Sequence, residues 1–132
     1  MSYKNRVTSK ELNLIKGAFR RVFSRSELRR SAINKIKIKH EDPTRKRVKN
    51  WGQCPLCNKI DAISNFDVDH INPVIPLDRT MNDMSLEELA DRVFCDESNL
   101  LAICQTCHHR KSSCEMKIRR ANKKAKKDCK KA

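Results

Sequence analysis

The sequence predicts a small α+β fold, and three observations carry that reading. Apolar residues recur at helical spacing in residues 9–38 and 85–94, and a lysine-, arginine- and alanine-rich stretch without glycine or proline runs on from about residue 106. Two short apolar segments, residues 66–71 and 99–103, read as strands. Two matched cysteine pairs, Cys54-Pro-Leu-Cys57 and Cys104-Gln-Thr-Cys107, bracket those strands.

Taken in order, Thr8-Ser9-Lys10-Glu11 forms a capping box, and Leu12, Ile15, Phe19 and Val22 follow on one helical face. Gly17 weakens that helix slightly. Ser24-Arg25-Ser26-Glu27 repeats the capping pattern, with Leu28, Ala32, Ile33 and Ile36 behind it. Residues 9–38 therefore read as two short basic amphipathic helices, or one bent one, whose apolar stripes face a core. Residues 40–43, His-Glu-Asp-Pro, break the pattern, and His40 reads as a surface residue. The run that follows contains Arg45, Lys46 and Arg47 and ends in Trp51. It is either a DNA-facing segment or a solvated linker, with Trp51 a packing residue. Phe66 to Ile71 alternates as a strand that Pro73 and Pro76 end. Ser85-Leu86-Glu87-Glu88 caps a short acidic helix, Asn99 to Ile103 is the second strand, and a basic helix closes the chain.

With 132 residues, 38% of them hydrophobic and 5% aromatic, the chain has a thin core that calls for an additional staple. Seven cysteines offer one. The N-terminus is charged with no apolar run behind it, and no stretch approaches the roughly 20 apolar residues of a membrane span. A cytoplasmic location follows as the expectation, where thiols stay reduced and bind metal rather than pair as disulfides. Two residues between thiolates let one tight turn present both sulfurs to one ion. Cys54, Cys57, Cys104 and Cys107 thus compose a tetrahedral four-sulfur set that suits a structural zinc. Cys95, Cys114 and Cys129 read as ordinary thiols.

The net charge of +14 is unevenly spread. Residues 1–53 carry 16 Lys/Arg against 4 Asp/Glu, residues 54–107 carry 3 against 10, and residues 108–132 carry 11 against 2. Two basic arms therefore flank an acidic middle. Basic arms favour a polyanion such as nucleic acid, although solubilising tails have the same composition. The acidic middle would repel phosphate unless its carboxylates hold a cation.

Set in chain order, Cys54/Cys57, Asp69-His70-Ile71, Asn99-Leu100, Cys104/Cys107-His108 and Lys111 resemble the HNH endonuclease family in its zinc-knuckle form. The resemblance spans residues 51–113. It implies a ββα-metal core, flanked by the basic helical arm over residues 1–50 and the basic helix or tail over residues 114–132 that composition and apolar spacing predict. It implies hydrolysis of DNA phosphodiester bonds to 3′-hydroxyl and 5′-phosphate ends. His70 would be the general base, Asp69 and His108 ligands of a divalent cation such as magnesium, manganese or nickel, and Asn99 the residue that pins the loop orienting His70. Arg110, Lys111, Arg119 and Arg120 would meet phosphate, and His109 would point away from the ion. Asp67 is either an outer partner of the site or a solvated carboxylate, the latter being favoured. The small basic chain is in the style of phage or mobile-element nucleases, which points to the cytoplasm of a bacterial or phage-infected cell. Two alternatives stay open. One is a non-catalytic zinc-binding nucleic-acid module; the other is an accessory subunit of a larger DNA-processing complex, with a protein partner supplying specificity.

Overall fold

The computed structural model describes residues 2–131. Helix α1 (Ser9–Phe23) starts at Thr8, whose hydroxyl accepts from the Glu11 N–H at 3.1 Å. Helix α2 (Glu27–Asn34) starts at Ser26 rather than Ser24: Ser26 Oγ accepts from the Arg29 N–H at 3.3 Å. Ser24 belongs to the end of α1, and its hydroxyl donates to the Arg21 carbonyl at 2.6 Å. The reason is local: the backbone at Ser24 is still helical and closes the last turn of α1, so its side chain faces backward.

Strands β1 (Lys37–Ile38), β2 (Trp51–Gln53) and β3 (Ile60–Ala62) form an antiparallel sheet in that order, which the residue pattern does not foretell. The β2–β3 hairpin wraps the first cysteine knuckle. There the Cys54 N–H donates to the Lys59 carbonyl at 2.9 Å, and the Asn58 N–H to the Cys54 carbonyl at 2.8 Å. Asn58 completes the turn with φ 63°, a left-handed conformation that asparagine tolerates better than most residues. Gly52 faces inward, where an added Cβ would lie 2.6 Å from Ile63 Cδ1.

Strand β4 (Phe66–His70) pairs antiparallel with β5 (Leu100–Cys104), in a register that sets Asp69 opposite Leu101 and His70 opposite Leu100. Helix α3 (Leu86–Val93) lies between them in the chain, with Ser85 Oγ accepting from the Glu88 N–H at 3.1 Å. Helix α4 (Gln105–Lys131) follows β5 with no intervening loop. Among the described residues the result is an α+β architecture of four α-helices and two small antiparallel sheets.

Two apolar clusters make the core. One gathers Ile36, Phe66, Ala102 and Ile103 around Cys54, Cys104 and Cys107. The other gathers Phe23, Ala32, Met84, Leu89, Val93 and Leu100. Val68 packs against both and joins them. The expected boundary at residue 50 falls between β1 and β2. The helices before it, α1 and α2, pack on α3 and on β4 and β5, so residues 9–34 help build this core. Lys16 is buried, and its ammonium donates to the Met81 carbonyl at 2.8 Å, tying α1 to the loop ahead of α3. Among the described residues, no helix is long and apolar enough to cross a membrane.

Candidate active site and metal centre

The first knuckle rises from the β2–β3 hairpin and the second from the junction of β5 and α4, and the two bring four sulfurs together. All four ligand atoms lie within 4.8 Å of one another, with Cys54 Sγ 3.9 Å from Cys107 Sγ and Cys57 Sγ 3.5 Å from Cys104 Sγ. A tetrahedral ion with metal–sulfur bonds of about 2.3 Å separates its sulfurs by about 3.8 Å, so the donor set fits a metal such as zinc. The thiols also show the need for a cation. Burial opposes ionisation of Cys54, but the N–H groups of Cys104, Cys57 and Leu56 outweigh it and lower that thiol to about 6. Burial, neighbouring thiols and the Cys54 charge push Cys107 up to about 12. The first thiolate thus forms readily and makes another costly until a positive ion joins them.

Beside this cluster lies a hollow of about 300 Å³ whose walls include Asp69, His70, His108, Phe23 and Glu115. His70 sits half-buried at the end of β4. Its Nε2 is 2.8 Å from the Val93 carbonyl, and its ring centroid is 4.9 Å from that of Phe23. A carbonyl only accepts, so Nε2 carries the hydrogen and Nδ1 keeps a free lone pair. Val93 is the last residue of α3, where helical carbonyls lack an intrahelical partner. The segment inserted between the strands therefore supplies the group that orients His70.

His108, on the first turns of α4, stands between two carboxylates of β4. Its Nε2 is 3.9 Å from Asp69 Oδ1 and its Nδ1 is 3.7 Å from Asp67 Oδ2. The two aspartates share one strand face, which explains why they reach one ring. Two ligands about 2.1 Å from one tetrahedral ion stand about 3.4 Å apart, so Asp69 and His108 would close by about half an ångström to share one. Asn99 holds the loop after His70. Its Oδ1 accepts from the Asn72 N–H at 2.9 Å, and its carbonyl accepts from the Ile71 N–H at 2.8 Å.

Three residues expected on phosphate have intramolecular partners. Lys111 turns inward, donating to Asp69 Oδ2 and to the His70 carbonyl at 2.6 Å, with Glu115 Oε1 3.2 Å away. Two hydrogen bonds and one ion pair thus hold the ammonium beside Asp69. Arg119 donates to the carbonyls of Ile75 (2.7 Å) and Pro76 (3.1 Å). Arg45 pairs with Asp61 at 2.8 Å and lies 5.2 Å over the Trp51 ring, which is itself buried. Lys46, Arg47, Arg110 and Arg120 are exposed and make no ion pair among the described residues. His109 is exposed beside His108, at 6.4 Å between ring centroids, and His40 packs edge-on against Trp51.

Sequence reasoning did not single out Phe23, the Val93 carbonyl or Arg92. Arg92 donates to the carbonyls of Pro73 and Val74, both at 2.7 Å, and so braces the loop from the side opposite Arg119. The available signal was the proline-marked loop itself: its free carbonyls need donors, and arginines on the flanking helices are the long reach that supplies them. No family model, curated protein or solved structure matches the chain.

Proposed function

We propose that the chain is a metal-dependent endonuclease of the HNH type that hydrolyses DNA phosphodiester bonds. The observation that carries this reading is His70: Nε2 is committed to a backbone carbonyl, and Nδ1 remains free in a hollow shared with Asp69 and His108. In this reading β4, β5 and the start of α4 form the ββα-metal unit. A divalent ion held by Asp69 and His108 would polarise the phosphate and stabilise the leaving oxygen.

The chain's own residues then act in sequence. Asn99 and the Val93 carbonyl fix the His70 ring. His70 Nδ1 takes a proton from a water whose oxygen bonds to phosphorus. The bond from phosphorus to the 3′ oxygen breaks, that oxygen takes a proton from solvent, and His70 returns its own proton to solvent. The zinc of the four cysteines would be structural, because protein sulfurs fill all four positions. The test is plasmid DNA with a series of divalent ions, beside a His70→Ala variant of equal zinc content. Cutting by the parent and at least a hundredfold slower cutting by the variant is the expected result, on the order of a positioned base's contribution. An intact plasmid under every ion defeats the reading, and equal cutting by both removes His70 as the base.

A second reading is a non-catalytic zinc-binding nucleic-acid module. Its support is Lys111, whose ammonium already neutralises Asp69. Ion titration separates the two: a module that needs no second cation binds DNA equally well with and without added divalent ion.

A further inference from the structure

A second hollow, of about 500 Å³, adjoins the first between α1, the loop of residues 75–81 and α4. The two share Arg20, Ile75 and Arg119 among their walls, so the second depression neighbours the one that holds His70. Its walls carry more positive than negative charge. Arg119 and Lys126 donate to loop carbonyls, of Ile75 and Pro76 and of Asp78 respectively, and Arg79 pairs with Glu88. Arg20 and Lys123 are different. Both are exposed, both line the depression, and neither has an ion-pair or hydrogen-bond partner among the described residues.

We propose that this second hollow is the track for the DNA strand next to the bond being cut, with Arg20 and Lys123 as its phosphate contacts. The proposal rests on the nuclease reading and extends it to where the substrate lies. Arg20 stands one helical turn before Phe23, whose ring packs on His70, so a phosphate at Arg20 is a near neighbour of one at the base. Lys123 lies one turn beyond Arg119 on α4, further along the same wall. Ile75, Leu77 and Met81 also line the hollow and give it apolar surface suited to a deoxyribose rather than to a second charge. A nucleic-acid backbone alternates these two chemistries, anionic phosphate and apolar sugar edge. The assignment also explains the basic character of α1, which sequence alone leaves divided between a polyanion and solubility.

The test measures binding of a short DNA duplex by fluorescence anisotropy across a salt series, without added divalent ion. The parent is compared with Arg20→Gln, Lys123→Gln, the double variant, and Lys124→Gln, whose residue lines neither hollow. Each phosphate contact contributes about 0.9 to the slope of log affinity against log salt, so the double variant should lose about 2 in slope while Lys124→Gln keeps the parental value. Zinc content and circular dichroism confirm that each variant is folded. A double variant with the parental slope overturns the track, even where the parent cuts plasmid. A lowered slope in a chain that cuts under no ion keeps Arg20 and Lys123 as phosphate contacts but defeats the nuclease reading, and with it their place beside a bond being cut. A parent that binds no DNA overturns both.

Discussion

Asp67 Oδ2 lies 3.7 Å from His108 Nδ1, on the opposite side of the ring from Asp69. A carboxylate there favours a hydrogen on Nδ1 and leaves the Nε2 lone pair toward Asp69, where an ion would sit. Asp67→Asn should therefore weaken the divalent ion about tenfold to a hundredfold, the usual effect of losing such an outer partner. The midpoint of an ion titration of plasmid cutting reads this, with zinc content unchanged; an unmoved midpoint returns Asp67 to a solvated role. Asp61 answers to pH. The Arg45 guanidinium holds its carboxyl below the usual carboxylate range, against the effect of burial, and the Ala62 N–H and Asn65 amide add to the lowering. A carboxylate with a depressed folded value stabilises above the unfolded pKa of about 3.9, and that stability is lost as pH falls through the folded value. Asp61→Asn should thus cost about 1 kcal/mol at neutral pH. The gap in urea midpoint between variant and parent should close in acid, and a gap that stays constant below the carboxylate range contradicts the assignment.

Among the elements, α1 carries a removable flaw. Gly17 lies inside the helix, and an added Cβ meets nothing within 4 Å. Gly17→Ala should raise stability by about 0.5–1 kcal/mol, read as a higher thermal midpoint. A fall would mean that the outer face of α1 is covered. The elements also divide by how visible they are in sequence. Thr8 and Ser85 announce their helices, because a cap bonds to an N–H three residues on and needs nothing distant. The same local rule misplaces the start of α2 by two residues, because Ser24 and Ser26 both satisfy it and only the closing turn of α1 decides. Strands β1, β2 and β3 escape notice because two- and three-residue strands are too short to show alternation. In the candidate site, Asp69, His70, Asn99 and His108 stand out through the motifs that carry the family resemblance. The Val93 carbonyl does not, since every residue has one and only packing selects which is used.

For the whole molecule, the sulfur cluster is the keystone. Cys54, Cys104 and Cys107 belong to the same core cluster as Phe66 and Ile103, so an ion there would close the β2–β3 hairpin onto the β5–α4 junction. Removing it with a chelator, or making Cys104→Ser, should unfold the domain, because structural zinc contributes folding free energy directly. The melting curve and metal content check this together; a variant that loses metal yet keeps its melting midpoint contradicts it.

That closure also sets a schedule for the chain as it is made. Cys54 and Cys57 emerge early, but a two-sulfur site holds an ion weakly, and the sulfurs that complete it follow only with β5 and the first turn of α4. His108 is the very next residue after Cys107. A nascent chain therefore carries His70 and Asp69 for the whole synthesis of α3 without their partner in place, and the last cysteine of the cluster and the last site histidine arrive together. Capture of a metal by the four sulfurs would then coincide with assembly of the hollow, a single late event in the birth of the protein rather than two steps separated in time.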